Sequence, residues 1–219
     1  MNIWLLDFET TGLNVFQDDI IELAIKKYDS DITYHTFVRP KIQPKGLVKY
    51  VPPNITKLTG INDKHIEENG ISKYTAIYNF HDYITSHSEK GKPIYIVSHN
   101  GNSFDFLILK KLIHDYNINH LDKYDSKVSV KKVNNDFDRI RFIDTVLLAK
   151  LIYHNDKVNQ NALCKKFNIV NDTQHRALDD IIALEKIFTN LCSIIDTMND
   201  KEENYFLNHP QELCNMTFI

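Results

Sequence analysis

The sequence predicts an α/β fold, in which a mixed sheet starts with an antiparallel meander and helices pack on both of its sides. Nearly continuous apolar runs at 3–8 and 93–100 indicate buried strands. Mixed and alternating patterns at 19–28 and 32–39 indicate the other two strands of the meander. Helical patterns then alternate with strands along the rest of the chain, which is typical of this fold class.

Helical elements are expected between and after these strands. Gly60 ends a short helix at 54–61, and Ser72 is the expected N-cap of the next helix. The longer predicted helices lie at 72–88, 104–116, 144–153, 159–167 and 176–195. Segments 127–133 and 138–143 alternate around a polar turn, so they predict a hairpin.

Length and composition indicate one globular domain. The chain has 219 residues, of which 42% are hydrophobic, and this is enough for a full core. We expect a catalytic domain at 1–196 and a C-terminal tail at 197–219 that packs on the domain or binds a partner. No apolar run is long enough for a membrane span, and the acidic N-terminus is unlike a secretory signal.

The cysteines and the charge distribution narrow the class of protein further. The three cysteines form no CxxC pair, which indicates a reducing, intracellular compartment, cytoplasmic or nuclear, and no zinc site. The net charge is −3, yet residues 106–166 carry 12 basic against 7 acidic side chains. A basic segment beside clustered carboxylates is typical of a phosphodiester site, although a solvated surface would also produce it.

The first predicted strand ends in LLDFETTGL, with Asp7 and Glu9 one residue apart. Because side chains alternate along a strand, both carboxyl groups lie on the same face. Two unpaired carboxylates on a buried strand are costly unless a cation neutralises them. The motif therefore predicts a metal site at the end of this strand.

Further acids and one histidine occur at the ends of later elements. Asp105 follows the apolar strand 93–100, and His175 precedes Asp180 by five positions. With Asp7 and Glu9 they form a set of four carboxylates and one imidazole, which matches hydrolysis by two metal ions. We expect Asp7 to be shared between the ions, and His175 to take the proton from the attacking water.

These motifs resemble those of the DEDDh 3′→5′ exonuclease family. The matching stretches are DFETTGL, LTGI, VSHNGNSFDF, FIDT and HRALDD, which occur in the family's order between about residue 3 and residue 190. The resemblance implies a ribonuclease H-like fold and two Mg²⁺ ions, which Mn²⁺ can replace. It implies Asp7, Glu9, Asp105 and Asp180 as metal ligands and His175 as general base.

The resemblance also implies substrate contacts and the variant of the family. The residues that correspond to the family's nucleotide contacts are Thr10, Thr11, Leu13, Ile61, Asn100 and Phe104. The family's tyrosine variant requires a tyrosine four residues before the last acid. Arg176 occupies that position, so the histidine form is the better match.

The expected function is removal of nucleoside monophosphates from the 3′ end of nucleic acid, with DNA preferred over RNA and single-stranded or frayed ends as substrates. Two alternatives remain at this point. The first is the same chemistry on RNA, as an exoribonuclease or oligoribonuclease, because side-chain types alone do not indicate a contact with a 2′-hydroxyl. The second is a non-catalytic nucleic-acid-binding module. A homodimer or a polymerase partner is compatible with the sequence, and no membrane association is expected.

Overall fold

The computed structural model describes residues 1–40, 51–118, 136–171 and 176–217, and these form a six-stranded sheet with helices on both sides. The strand order is β4-β3-β2-β1-β5-β6. The strands are β1 (Ile3–Thr10), β2 (Ile20–Lys27), β3 (Thr33–Arg39), β4 (Ile71–Ser72), β5 (Ile94–Ser98) and β6 (Ile140–Asp144). The predicted α/β class with a mixed sheet is therefore confirmed.

The sheet starts with the predicted antiparallel meander and continues with parallel strands. β1 pairs antiparallel with β2, and β2 pairs antiparallel with β3. On its other side β1 pairs parallel with β5, which pairs parallel with β6. The carboxyl ends of β1, β5 and β6 therefore meet at one edge of the sheet, where sites in such folds collect.

Nine helices are found among the described residues, and most of them agree closely with the predicted ones. The helices are α1 (Pro53–Thr59), α2 (Asp63–Asn69), α3 (Lys73–Ser86), α4 (Asp105–Ile118), α5 (Thr145–Tyr153), α6 (Gln160–Lys166), α7 (Ala177–Met198), α8 (Tyr205–Asn208) and α9 (Pro210–Thr217). Gly60 ends α1 with a φ of 74°, and the Ser72 side chain caps α3, as the sequence predicts. No described helix is both long and apolar enough to cross a bilayer.

Each face of the sheet has its own core, because the side chains of β1 alternate. Trp4, Leu6 and Phe8 pack against α3 and α4 on one face. Ile3 packs on the other face against α5, α6 and α7, and Leu5 also contacts α7. The long helix α7, with 22 residues, is the main cover of this second face.

Two short elements between β3 and α3 were not predicted, because their apolar pattern is too short to detect. Helix α2 has a buried side chain only at Ile66, and it starts with a capping box between Asn62 and His65. Strand β4 has two residues. The first arm of the predicted hairpin, 127–133, lies outside the described residues, and the second arm leads into β6, which pairs parallel with β5.

The C-terminal segment, in which the sequence shows no clear period, contains α8 and α9. Phe206 and Leu213 are buried in the same core as the end of α7. Asp196 of α7 accepts a hydrogen bond from the Phe206 N–H at 2.9 Å, and this bond fixes the start of the segment. The described part of the tail thus packs on the sheet and its helices, while the domain boundary at residue 196 stays a prediction.

Candidate active site

The two acids of the first motif lie at the carboxyl end of β1, on the face of the sheet that α7 covers. Asp7 and Glu9 share this face with Leu5, since alternate residues of a strand point the same way. Leu5 is fully buried against the first turns of α7. Asp7 and Glu9 lie beyond it, and both are only partly buried. The strand therefore presents its acids at the edge of the core, near the start of α7.

Asp180 comes from the start of α7. Its backbone N–H donates to the carbonyl oxygen of Arg176 at 2.9 Å, which is the first hydrogen bond of the helix. Its Oδ1 accepts hydrogen bonds from Asn171 Nδ2 at 2.9 Å and from Gln160 Nε2 at 3.3 Å. The carboxyl group is thus held from two sides, by α6 and by the segment that precedes α7.

Three carboxyl groups converge where β1 meets α7. One oxygen each from Asp7, Glu9 and Asp180 lies within 4.8 Å of the other two. Two oxygens bound to the same Mg²⁺ lie at most about 4.2 Å apart, because each is about 2.1 Å from the ion. The cluster therefore fits a hard divalent cation after small adjustments of the side chains.

Asp105 lies nearby but is held differently. It is 3% exposed at the start of α4. Its Oδ1 accepts a hydrogen bond from the Phe8 N–H at 3.1 Å, and its Oδ2 accepts one from Ser98 Oγ at 2.7 Å. The three-carboxylate cluster does not include it. Because each carboxylate oxygen has two acceptor sites, Asp105 still has lone pairs available for a cation.

Burial and mutual repulsion raise the pKa values of these acids. Burial, and then the charges of Asp105 and Glu9, raise the pKa of Asp7 well above its ordinary value. Burial and the charge of Asp180 raise the pKa of Glu9 to about 8. Burial raises the pKa of Asp105 to about 7, although its two hydrogen bonds lower it. A bound cation would lower these pKa values again, because it stabilises the ionised carboxylates. The electrostatics of the site therefore also fit a metal.

Glu22 of β2 is another acid beside this cluster, and the sequence analysis did not identify it. It lies opposite Glu9 in the strand pairing, and its side chain is fully buried. Hydrogen bonds from His35, Arg176 and the Ala177 N–H outweigh burial and lower its pKa. A single acid inside the apolar run IIELAI is the signal that could have identified it.

The turn between β5 and α4 is fixed from β6. Asp144 accepts hydrogen bonds from the N–H groups of Asn100 at 3.0 Å and Asn102 at 2.9 Å. A Cβ atom on Gly101 would lie 2.5 Å from the ring of Phe106, so any larger residue would displace this buried ring. The turn leads directly to Asp105, and Asp144 therefore helps to place that acid.

Three of the predicted substrate contacts are accessible. Leu13 is 88% exposed in the loop after β1. Asn100 is exposed, with a φ of 62°, and Phe104 is partly buried beside Asp105. Thr10 and Phe104 also line a pocket next to that loop, whose charged lining is balanced between Arg39, Lys73 and Lys111 and the acids Asp18, Asp19 and Asp115. The contacts of Leu13, Asn100 and Phe104 with nucleic acid stay predictions.

The other predicted contacts have little exposed surface. Thr10 and Thr11 are buried; the Thr10 hydroxyl donates to the Gly12 carbonyl, and the Thr11 hydroxyl accepts from the Asp19 N–H at 3.0 Å. Ile61 is 1% exposed and packs in a small apolar cluster between β2 and α2. Their contacts with substrate stay predictions, and His175, the predicted base, lies outside the described residues.

Similar solved structures identify the fold of this chain. E. coli exonuclease I in complex with a dA16 oligonucleotide is 17% identical with a TM-score of 0.68, and the match covers 99% of this chain and 45% of that chain. Exonuclease X in complex with 5′ overhanging duplex DNA is 17% identical with a TM-score of 0.60, and the match covers 99% of both chains. These similarities establish the ribonuclease H-like fold.

The chain belongs to the RNase T exonuclease family, whose model matches residues 4–188. A PolC-type DNA polymerase III of Thermotoga petrophila is 29% identical over 188 residues, which cover 84% of this chain and 11% of the polymerase. The 3′-5′ exonuclease DinG of Staphylococcus haemolyticus is 29% identical over 180 residues, which cover 80% of this chain and 16% of DinG. The chain thus spans a small part of the length of these relatives.

Proposed function

We propose that this chain hydrolyses nucleic acid from the 3′ end, releases nucleoside monophosphates and depends on a divalent metal. The convergence of Asp7, Glu9 and Asp180 at the carboxyl end of β1 carries the proposal. In a member of an exonuclease family, such a cluster is the natural site for phosphodiester hydrolysis. The raised pKa values of Asp7 and Glu9 support a cation as the missing neutralising charge.

We propose Mg²⁺ as the metal, because all the candidate ligands are carboxylate oxygens. Asp7, Glu9, Asp105 and Asp180 would hold two ions, with Mn²⁺ able to replace Mg²⁺. When bound, the metal supplies positive charge and Lewis acidity for an in-line phosphoryl displacement. Besides burial, the charges of Asp105, Glu9 and Asp180 all raise the pKa of Asp7, so Asp7 lies near the other three candidate ligands, which supports a role as the shared ligand.

The general base in this proposal is His175. The imidazole takes a proton from the attacking water, because its ordinary pKa lies close to neutral pH. It directly precedes Arg176 in the sequence, and Arg176 is anchored beside Glu9's strand partner, Glu22. Replacing His175 by alanine should lower kcat by about 100-fold or more while the affinity for Mn²⁺ stays unchanged.

DNA is the proposed substrate. PolC-type DNA polymerase III is among the relatives, and the similar solved structures include exonuclease I and exonuclease X in complex with DNA. Leu13, Asn100 and Phe104 would contact the terminal nucleotides, since they follow the carboxyl ends of β1 and β5 and are accessible. Thr10, Thr11 and Ile61 would contact the substrate mainly through backbone groups, because their side chains are buried.

A degradation ladder tests the proposal. Matched 5′-labelled single strands of DNA and RNA are incubated with Mg²⁺, beside a strand with a blocked 3′ end. The matched inactive variant is Asp180→Asn, which keeps the oxygen that accepts from Asn171. Stepwise shortening that is lost with the variant and with the blocked strand is the expected result.

The outcomes separate the alternatives. Faster shortening of DNA supports the substrate proposed here, and faster shortening of RNA assigns the chain to exoribonucleases instead. Binding of either strand without any shortening in Mg²⁺ or Mn²⁺ would overturn the enzymatic proposal and leave a nucleic-acid-binding module. The same samples in size-exclusion chromatography test for a homodimer, and co-elution with a replicative polymerase tests for a polymerase partner; the sequence is compatible with both.

A further inference from the structure

We propose that Glu22 is a positioning residue for the metal site, which holds the start of α7 so that Asp180 faces Asp7 and Glu9. Glu22 lies on β2 and is not itself a member of the three-carboxylate cluster. The inference rests on the proposed function, because it assumes that the cluster binds a divalent metal.

The N-cap residue of α7 does not cap the helix with its own side chain. This residue is Arg176, whose side chain makes no capping hydrogen bond. The free N–H groups of a first helical turn need an acceptor, and a negative charge there is favourable. Glu22 of β2 supplies both the acceptor and the negative charge, because its Oε2 accepts a hydrogen bond from the Ala177 N–H at 3.0 Å.

The second oxygen of Glu22 holds the residue before the helix. Its Oε1 accepts from Arg176 Nη2 at 3.0 Å and Nε at 3.3 Å, and from His35 Nε2 at 2.6 Å. The Glu22 side chain is fully buried, whereas the Arg176 side chain is 40% exposed. A buried carboxylate with partners on both oxygens is fixed in one geometry, because losing any of these bonds is costly.

The anchor connects directly to Asp180. The carbonyl oxygen of Arg176 accepts the Asp180 N–H at 2.9 Å, so the residue that Glu22 holds is the hydrogen-bond partner of Asp180. Without Glu22, the first turn of α7 would fray, and the backbone of Asp180 would no longer be held in one position. Glu22 is not proposed as a ligand, because the three-carboxylate cluster does not include it and its carboxylate already accepts three hydrogen bonds on Oε1 and one on Oε2.

A second link between β2 and α7 offers a matched control. Lys26 forms an ion pair at 2.7 Å with Glu185, which lies on α7 beyond Asp180. Both side chains are largely buried, at 15% and 19% exposure. Glu185→Gln therefore weakens the attachment of α7 to the same strand, but it leaves the first turn of the helix intact.

The test is Mn²⁺ binding by calorimetry, in the wild type, Glu22→Gln and Glu185→Gln, together with hydrogen exchange of the amides of 177–180. Glu22→Gln should weaken Mn²⁺ binding by about tenfold or more, as is typical of residues that orient metal ligands. It should also speed exchange at the Asp180 amide. Glu185→Gln should change neither quantity, although it lowers thermal stability.

The remaining outcomes are decisive as well. Unchanged Mn²⁺ affinity in folded Glu22→Gln, or an equal loss in Glu185→Gln, would overturn the inference. If Glu22→Gln does not fold, Arg176→Gln removes, at a partly exposed position, the guanidinium that Glu22 holds and should speed exchange at the Asp180 amide; unchanged exchange there overturns the inference too. A wild type that binds no Mn²⁺ and shortens no strand would contradict the proposed function itself.

Discussion

Glu9 and Glu22 lie opposite each other across the antiparallel pair of β1 and β2, yet the pKa values of their carboxyl groups shift in opposite directions. Glu9 is surrounded by other acids, and burial raises its pKa to about 8. Glu22 has no exposed surface, and burial alone would raise its pKa, but hydrogen bonds from His35, Arg176 and Ala177 lower it. Local partners, more than burial, therefore decide which acid is available for a metal.

The first prediction concerns the stability of the metal-free protein. A carboxyl group whose pKa is raised in the folded state stabilises the fold below its unfolded pKa, and this stabilisation is lost as the pH rises through the folded value. For Glu9 this window runs from 4.5 to about 8. In EDTA, Tm should therefore fall by several degrees between about pH 5.5 and about pH 8.5, since 1 kcal/mol corresponds to about 2–4 °C at this size.

Differential scanning fluorimetry with and without Mg²⁺ measures this effect. Mg²⁺ should raise Tm more at the higher pH, where the carboxyl groups are ionised. Glu9→Gln is the control, and it should reduce the pH-dependent fall of Tm in EDTA. An equal fall in Glu9→Gln and the wild type would show that other groups cause the pH dependence.

The second prediction compares how Asp180 and Asp105 each affect the stability of the metal-free protein. Asp180→Asn keeps the Oδ1 acceptor and removes a charge that raises the pKa of Asp7 and Glu9. It should abolish exonuclease activity and raise the Tm of the metal-free protein slightly. Asp105→Ala should also abolish activity, but it leaves the Phe8 N–H without an acceptor, which costs about 1–3 kcal/mol.

Thermal and urea denaturation in EDTA compare these two variants. A loss of stability in Asp180→Asn as large as that in Asp105→Ala would contradict the view that repulsion dominates at Asp180. Circular dichroism confirms that both variants are folded before activity is compared.

The third prediction concerns two apolar residues proposed to contact substrate. Leu13→Ala should change stability by no more than about 0.5 kcal/mol, because Leu13 is 88% exposed. Its effect should be a higher KM for oligonucleotides. Ile61→Ala should cost about 2–5 kcal/mol, because Ile61 is 1% exposed in a packed cluster. Urea denaturation and initial rates against DNA concentration separate the two effects, and an unchanged KM in Leu13→Ala would exclude that contact.

The fourth prediction concerns the turn that leads to Asp105. Asp144 accepts hydrogen bonds from the N–H groups of Asn100, Asn102 and Val146. Asp144→Ala should lower the free energy of unfolding by about 1–3 kcal/mol, since these donors lose their acceptor. Asp144→Asn, which keeps one oxygen, should lose less in urea denaturation. Equal losses in both variants would indicate that the charge of Asp144, not its hydrogen bonds, stabilises the turn.

Patterns within short stretches determined the predicted meander, the main helices and the candidate acids. Apolar alternation defines strands such as β1, and the acids at strand ends stand out because they interrupt apolar runs. Helices α2 and α8 were not detected, because they bury only one and two side chains. The buried residues of α9, Pro210, Leu213, Cys214 and Thr217, have helical spacing, but the proline and the threonine among them obscure the apolar pattern. The joint presence of Asp7, Glu9, Asp105 and Asp180 in one site was predicted from their places at the ends of elements and from the resemblance to the DEDDh exonuclease family.

Tertiary packing decided two properties that no local pattern contains. These are the hydrogen-bond partners of each acid and the exposure of each predicted substrate contact. Glu22 and Arg176 are separated by 154 residues, and only the packing of α7 on β2 brings them together. Leu13 and Ile61 are both apolar residues in loops, yet one is exposed and the other is buried. The physical reason is that side-chain chemistry is local in the sequence, whereas burial and hydrogen bonding depend on distances that the whole fold sets.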